Sequence, residues 1–142
     1  MEVKEIMTRK PITVTPEENT ALAARLLHHY NIGALPVCTA DGRLRGLVTD
    51  RDIVMRCIAP GEEPEETKIS HIMTRKMVTV APEASVEQAA ALMAREQVRR
   101  LPVSEGGKLV GILSLGDIAK MRDHTMEAEE TLCEISENIR RS

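Results

Sequence analysis

The chain has no phenylalanine, no tryptophan and a single tyrosine, Tyr30, among 142 residues. A core without large rings has to be filled by Leu, Ile, Val, Ala and Met, which suits helices laid closely on a sheet. The same scarcity removes the aromatic platforms on which single-stranded nucleic acid stacks. Positive charge is not in excess either: 19 Lys and Arg stand against 22 Asp and Glu, for a net charge of −3. A broad basic footprint for nucleic acid is therefore missing. No apolar run approaches the roughly 20 residues that cross a bilayer, and no basic-then-apolar leader opens the sequence. Three cysteines, Cys38, Cys57 and Cys133, leave one unpaired under any disulfide scheme and lack metal-type spacing, which fits a reduced cytoplasmic interior. These absences describe a soluble cytoplasmic protein that takes neither nucleic acid nor membrane as partner.

What is present is a repeat. Ile6-Met7-Thr8-Arg9-Lys10 returns as Ile72-Met73-Thr74-Arg75-Lys76, and Leu35-Pro36-Val37 returns as Leu101-Pro102-Val103. Gly46-Leu47-Val48-Thr49-Asp50-Arg51-Asp52 is answered by Gly111-Ile112-Leu113-Ser114-Leu115-Gly116-Asp117. The offset falls from 66 to 65 because Thr39-Ala40-Asp41-Gly42 shortens to Glu105-Gly106-Gly107. A unit of roughly 60 residues is marginal for burying a core alone, so the halves are expected to fold against each other with related clefts between them.

Within each unit the pattern reads as a lead-in helix, strand, helix, two strands and helix. Ile12-Thr13-Val14 alternates as a strand; Asn19 caps a helix to about Asn31, and Ser85 with Gln88 forms a capping box before its counterpart. Asp41-Gly42 and Gly106-Gly107 mark hairpin turns, and helices follow from Asp50 to about Ile58 and from Leu115 to about Arg122. The fold class expected is α/β (α+β), as tandem β-α-β-β-α repeats in mixed three-stranded sheets with pseudo-twofold symmetry. The units are residues 1–59 and 68–122, joined by an acidic, proline-broken linker at 60–67. Residues 123–142 carry Thr125, Ala128, Leu132, Ile135 and Ile139 at helical spacing, an amphipathic helix that packs on its own body or on a partner.

The chemistry concentrates at the corner after each hairpin. Gly46 and Gly111 let backbone approach closely; Thr49 and Ser114 set a hydroxyl at a helix start, where anions are favoured. Asp52 and Asp117 place a carboxylate three residues on, able to accept from the two hydroxyls of a ribose. Hydroxyl for phosphate and carboxylate for ribose describe a nucleoside phosphate. The competing explanation is an ordinary capping box, Thr-x-x-Asp and Ser-x-x-Asp folded back on the backbone.

With the Met-Thr lead-in, the Leu-Pro-Val strand and Gly-h-h-Thr/Ser-x-x-Asp (h, apolar) all present twice, the chain resembles a tandem pair of cystathionine-beta-synthase-type (CBS) domains, a Bateman module, over Val3 to Arg122. The resemblance implies regulatory clefts for AMP, ADP or ATP, with S-adenosylmethionine or another adenosyl ligand as an alternative. It implies ribose at Asp52 and Asp117, phosphate at Thr49 and Ser114, and adenine against the backbone around Ile32 and Ala34 or Val98 and Arg100. It further implies a homodimer acting on a regulated protein partner, with no resident cofactor and no catalysis of its own. Arg99 and Arg100 stand where the family often carries a phosphate-binding cation, whereas the first repeat has Gly33 and Ala34. On that count the Asp117 cleft is expected to hold phosphate better, the more so because Asp50 adjoins Thr49. A different class of function is a structural, partner-binding dimer whose clefts hold nothing. His28, His29, His71 and His124 form no convergent set for a metal, and Cys38 reads as a core residue.

Overall fold

Pro36 and Pro102 decide how each sheet grows. In the computed structural model, which describes residues 1–122, Pro36 lies in β2 (Ala34–Cys38), antiparallel to β3 (Leu44–Thr49). Val14 lies parallel alongside, its N–H donating to the Pro36 carbonyl at 3.0 Å and its carbonyl accepting from Cys38 N–H at 2.8 Å. The next rung back would need an N–H from Pro36 to reach Ile12, and proline has none. The strand expected at Ile12-Thr13-Val14 is accordingly a single bridge. Val80 repeats this beside Pro102 in β4 (Arg100–Glu105), which pairs with β5 (Lys108–Ser114).

The lead-ins are exchanged. Thr8–Arg9 (β1) pairs not with its own hairpin but with β5 of the second repeat, Thr8 opposite Ile112, giving the sheet order β1-β5-β4. In return Thr74 and Leu47 exchange backbone hydrogen bonds at 2.8 and 2.9 Å on β3 of the first. The cores follow the same exchange. Ile69, Ile72 and Met73 are buried with Val14, Leu35, Val48 and Ile53 of the first repeat. Val3 is buried with Val80, Val86, Leu101 and Leu113 of the second, and Ile6 and Met7 pack on it. Burying one Ile is worth about 1.5–3 kcal/mol, so each core is incomplete without the other repeat's lead-in.

The helices follow their caps. Asn19 accepts from Leu22 N–H at 2.8 Å and starts α1 (Thr20–Tyr30), which ends at Asn31 in the left-handed conformation. The reciprocal bonds of Ser85 and Gln88, both 3.0 Å, start α4 (Val86–Glu96). The lead-ins are a 3-10 turn at Val3–Glu5 and a short helix, α3 (Ile69–Ile72). After β3 the chain is α-helical only over α2 (Asp50–Ile53) and widens to a π-helical turn at Val54–Ile58. Residues 115–122 are helical (α5). The helix expected within 123–142 lies outside the described residues.

Candidate functional site

Both corners form capping boxes. Thr49 Oγ1 accepts from Asp52 N–H at 3.1 Å while Asp52 Oδ2 accepts from Thr49 N–H at 3.0 Å. Ser114 and Asp117 repeat the pair at 3.0 and 2.9 Å. Capping is thus satisfied in each repeat, and the corners differ in what the second carboxylate oxygen does.

Asp52 is committed to the fold. Its Oδ1 accepts the Thr74 hydroxyl at 2.9 Å and lies 3.7 Å from Arg56 Nη1. The same Arg56 nitrogen donates to the carbonyls of Ile72 and Met73 at 3.1 and 3.0 Å. The residue is only 7% exposed. Asp117 is half-buried, and among the described residues its carboxylate accepts only from Ser114 N–H. The repeat explains the difference: the counterpart of Arg56 is Met121, which packs on the second core and carries no N–H donor in its side chain.

The glycines serve the exchange. A Cβ on Gly46 would sit 2.5 Å from the Thr74 carbonyl oxygen, and one on Gly111 would meet Met7 Sδ at 2.5 Å and Thr8 O at 2.9 Å. The close approach read from the sequence is therefore made by the crossing lead-in rather than by an occupant of the corner.

Two clefts flank the junction of the repeats. The first, about 530 Å³, is lined by Ser114 and Asp117 together with Ile32, Gly33 and Ala34 of the opposite repeat, and by Thr8, Lys10, Tyr30 and Arg100. The second, about 370 Å³, is lined by Thr49 and Thr74 with Val98, Arg99 and Arg100 opposite, and by Arg51 and Lys76. Ile32 and Val98, counterparts in the repeat, are 38% and 36% exposed and give each cleft an aliphatic wall. Asp52 lines neither cleft. Arg100 lines both, and its guanidinium lies against Gly33, where a Cβ would collide with it. Arg99 belongs to the Thr49 cleft, not to the Asp117 cleft where the sequence pattern led us to expect it. Asp50 turns its carboxylate to Arg51 N–H at 2.9 Å and is on neither wall.

Sequence reasoning overlooked Tyr30, Lys10 and Thr8. The single aromatic of the chain was itself the signal for Tyr30: at 49% exposure it serves no core. Cys38 is buried in β2, and burial pushes its thiol above the ordinary value of 9.0. Among the described residues no three His, Cys, Asp or Glu side chains converge as metal ligands, and no helix is long and apolar enough to cross a membrane.

Comparison with known proteins agrees with this architecture. Residues 3–58 and 69–124 each match the CBS domain. The chain is 40% identical over 134 residues, 94% of each chain, to the CBS domain-containing protein YhcV of Bacillus subtilis. It is 36% identical over 117 residues, 82% of each chain, to hypoxic response protein 1 of Mycobacterium tuberculosis. The CBS domain pair of protein MJ0100, solved in complex with 5′-methylthioadenosine and S-adenosyl-L-methionine, superposes with a TM-score of 0.79 at 28% identity, covering 88% of this chain and 98% of that one. With two matched domains, exchanged lead-ins and a cleft on either side of their junction, this chain belongs to the CBS domain family.

Proposed function

We propose that the chain is a regulatory module that binds an adenosine-bearing ligand, a nucleotide or an S-adenosylmethionine-type molecule, in the Asp117 cleft. The observation that carries this is the uncommitted oxygen of Asp117, on the wall of a cleft of about 530 Å³ that also holds Ser114, Lys10, Arg100 and the ring of Tyr30. A carboxylate with a free oxygen accepts from a ribose diol. The Ser114 hydroxyl, with Lys10 and Arg100, favours phosphate or another anionic group. Tyr30 offers a face to the base, and the Ile32–Ala34 backbone offers it hydrogen bonds. The adenosyl ligands of the MJ0100 pair are consistent with a cleft of this kind. Because the ligand touches both repeats, it favours one arrangement of them over another, and a partner protein reads the change. We read the module as a cytoplasmic homodimer that binds and signals and performs no catalysis.

Calorimetry with adenosine, AMP, ADP, ATP, S-adenosylmethionine and 5′-methylthioadenosine tests this. Saturable binding of at least one is expected, lost in Asp117→Ala. Base–aromatic stacking is worth about 1–3 kcal/mol, so Tyr30→Ala should weaken binding about fivefold or more. No saturable heat with any of the six defeats the proposal. The completed capping boxes would then favour a partner-binding dimer with empty clefts.

A further inference from the structure

The repeat symmetry would put a second copy of the same ligand in the Thr49 cleft. Its walls are chemically different. Arg51, Lys76, Arg99 and Arg100 line it without any carboxylate, whereas the Asp117 cleft has Lys10 and Arg100 with Asp117. None of the four has a carboxylate partner among the described residues. Asp52, which symmetry makes the ribose anchor, has both oxygens engaged, by Thr49 N–H and by the Thr74 hydroxyl, and is off the wall.

We propose that the Thr49 cleft is a separate site for a ligand with a diphosphate-type group, held by its charge and not by a ribose. Thr49 and Thr74 line this cleft together with the four cations. The Thr49 hydroxyl, which accepts from Asp52 N–H, keeps its proton for a phosphate oxygen, whereas the Thr74 proton is given to Asp52. Arginine guanidinium groups grip phosphate oxygens two at a time. The cavity, about 370 Å³, is the smaller of the two, and Leu47, Met77 and Val78 floor it without adding a hydrogen-bond donor in their side chains. Arg100 is common to both clefts, so a diphosphate here draws its guanidinium away from Gly33 and weakens the hold on phosphate in the other cleft. The proposal rests on the reading above only in taking the Asp117 cleft as the nucleoside site.

The test is calorimetry on the full chain with inorganic pyrophosphate and, separately, with adenosine, which has no phosphate. Pyrophosphate should bind one per chain, weaken as salt is raised, and lose about tenfold or more in affinity in a Lys76→Ala, Arg99→Ala double variant. Both positions are exposed, so an unchanged melting temperature is expected to accompany that loss. Asp117→Asn should leave pyrophosphate binding within about twofold while abolishing adenosine binding. ADP titrated into Asp117→Asn distinguishes a free diphosphate from a nucleotide's: equal affinity for ADP and pyrophosphate means that only the diphosphate is read. Pyrophosphate binding that is absent, indifferent to the double variant, or lost with Asp117→Asn overturns the proposal. A failure of adenosine to bind, with the pyrophosphate results intact, would instead overturn the nucleoside reading of the other cleft.

Discussion

Thr74 donates its hydroxyl to Asp52 at 2.9 Å, tying the second repeat's lead-in to the first repeat's corner. Thr8, its counterpart, stands on the wall of the Asp117 cleft, and Asp117 accepts from no described side chain. One pair of equivalent residues thus closes a structural bond and the other leaves its acceptor open. Arg56 reinforces the closed side by holding the Ile72 and Met73 carbonyls of the crossing segment. The two aspartates hold equivalent places in the repeat and have opposite commitments.

Stability should therefore separate them. Asp52→Ala strands the Thr74 hydroxyl and the Thr49 N–H in a part-buried setting, a loss of about 2–3 kcal/mol. Asp117→Ala removes one capping acceptor at a more open corner, and about 1 kcal/mol or less is expected. Urea unfolding of the two variants beside the wild type measures the difference. Equal losses would show that the Thr74 bond adds nothing.

The glycines give a contrast between the strand-and-helix units of the two repeats. Gly46→Ala drives a Cβ to 2.5 Å from a backbone oxygen of the crossing lead-in, so about 2–3 kcal/mol should be lost to overpacking. At Gly116, in α5, a Cβ meets nothing nearer than Ser114 Oγ at 3.5 Å. There Gly116→Ala should stabilise by about 0.5–1 kcal/mol, since alanine restricts the unfolded chain. Thermal melts that place both variants on the same side of wild type would contradict this account of Gly46.

Much of this was legible because it is local. Asn19, Ser85 and Gln88 announce their helices, Gly42 and Gly106-Gly107 their turns with positive φ, and the repeated Thr/Ser-x-x-Asp its corner. The exchange of lead-ins was not, because nothing in Met-Thr-Arg-Lys says on which repeat's strand it will lie. Nor was the widening of α2 into a π-helical turn, where Val54 to Ile58 carry no proline or glycine to mark it. Arg99 was assigned to the wrong cleft for a related reason. Arg99 sits at a bend just before β4, which begins at Arg100, and the cleft that a residue at such a bend reaches is set by tertiary packing that the local pattern does not carry.

Gly33→Ala isolates Arg100 from stability. The atoms a Cβ would strike are the end of a flexible side chain, and Gly33 has no positive φ, so the fold should tolerate the change within about 0.5 kcal/mol. The guanidinium, however, has to leave the Asp117 cleft. Affinity for a nucleoside monophosphate should drop about fivefold or more, in line with the loss of a charge-assisted contact, while affinity for adenosine stays the same. A parallel fall for both ligands would mean that the methyl group blocks the base instead.

The proposed homodimer can be tested at the turn that follows α2. Val54, Met55 and Ile58 are 54%, 53% and 53% exposed on one short turn, and Leu115, at the start of α5, is 47% exposed. Single exposed apolar residues are ordinary, whereas a cluster of three is a candidate contact surface. A second copy meeting it about a twofold axis would bury the same patch from both sides. Met55→Glu puts a charge into that contact without touching either cleft, since Met55 lines neither. Light scattering should then report a dimer for the wild type and a monomer for the variant, with nucleoside binding to the Asp117 cleft retained. A variant that stays dimeric would move the interface elsewhere on the surface.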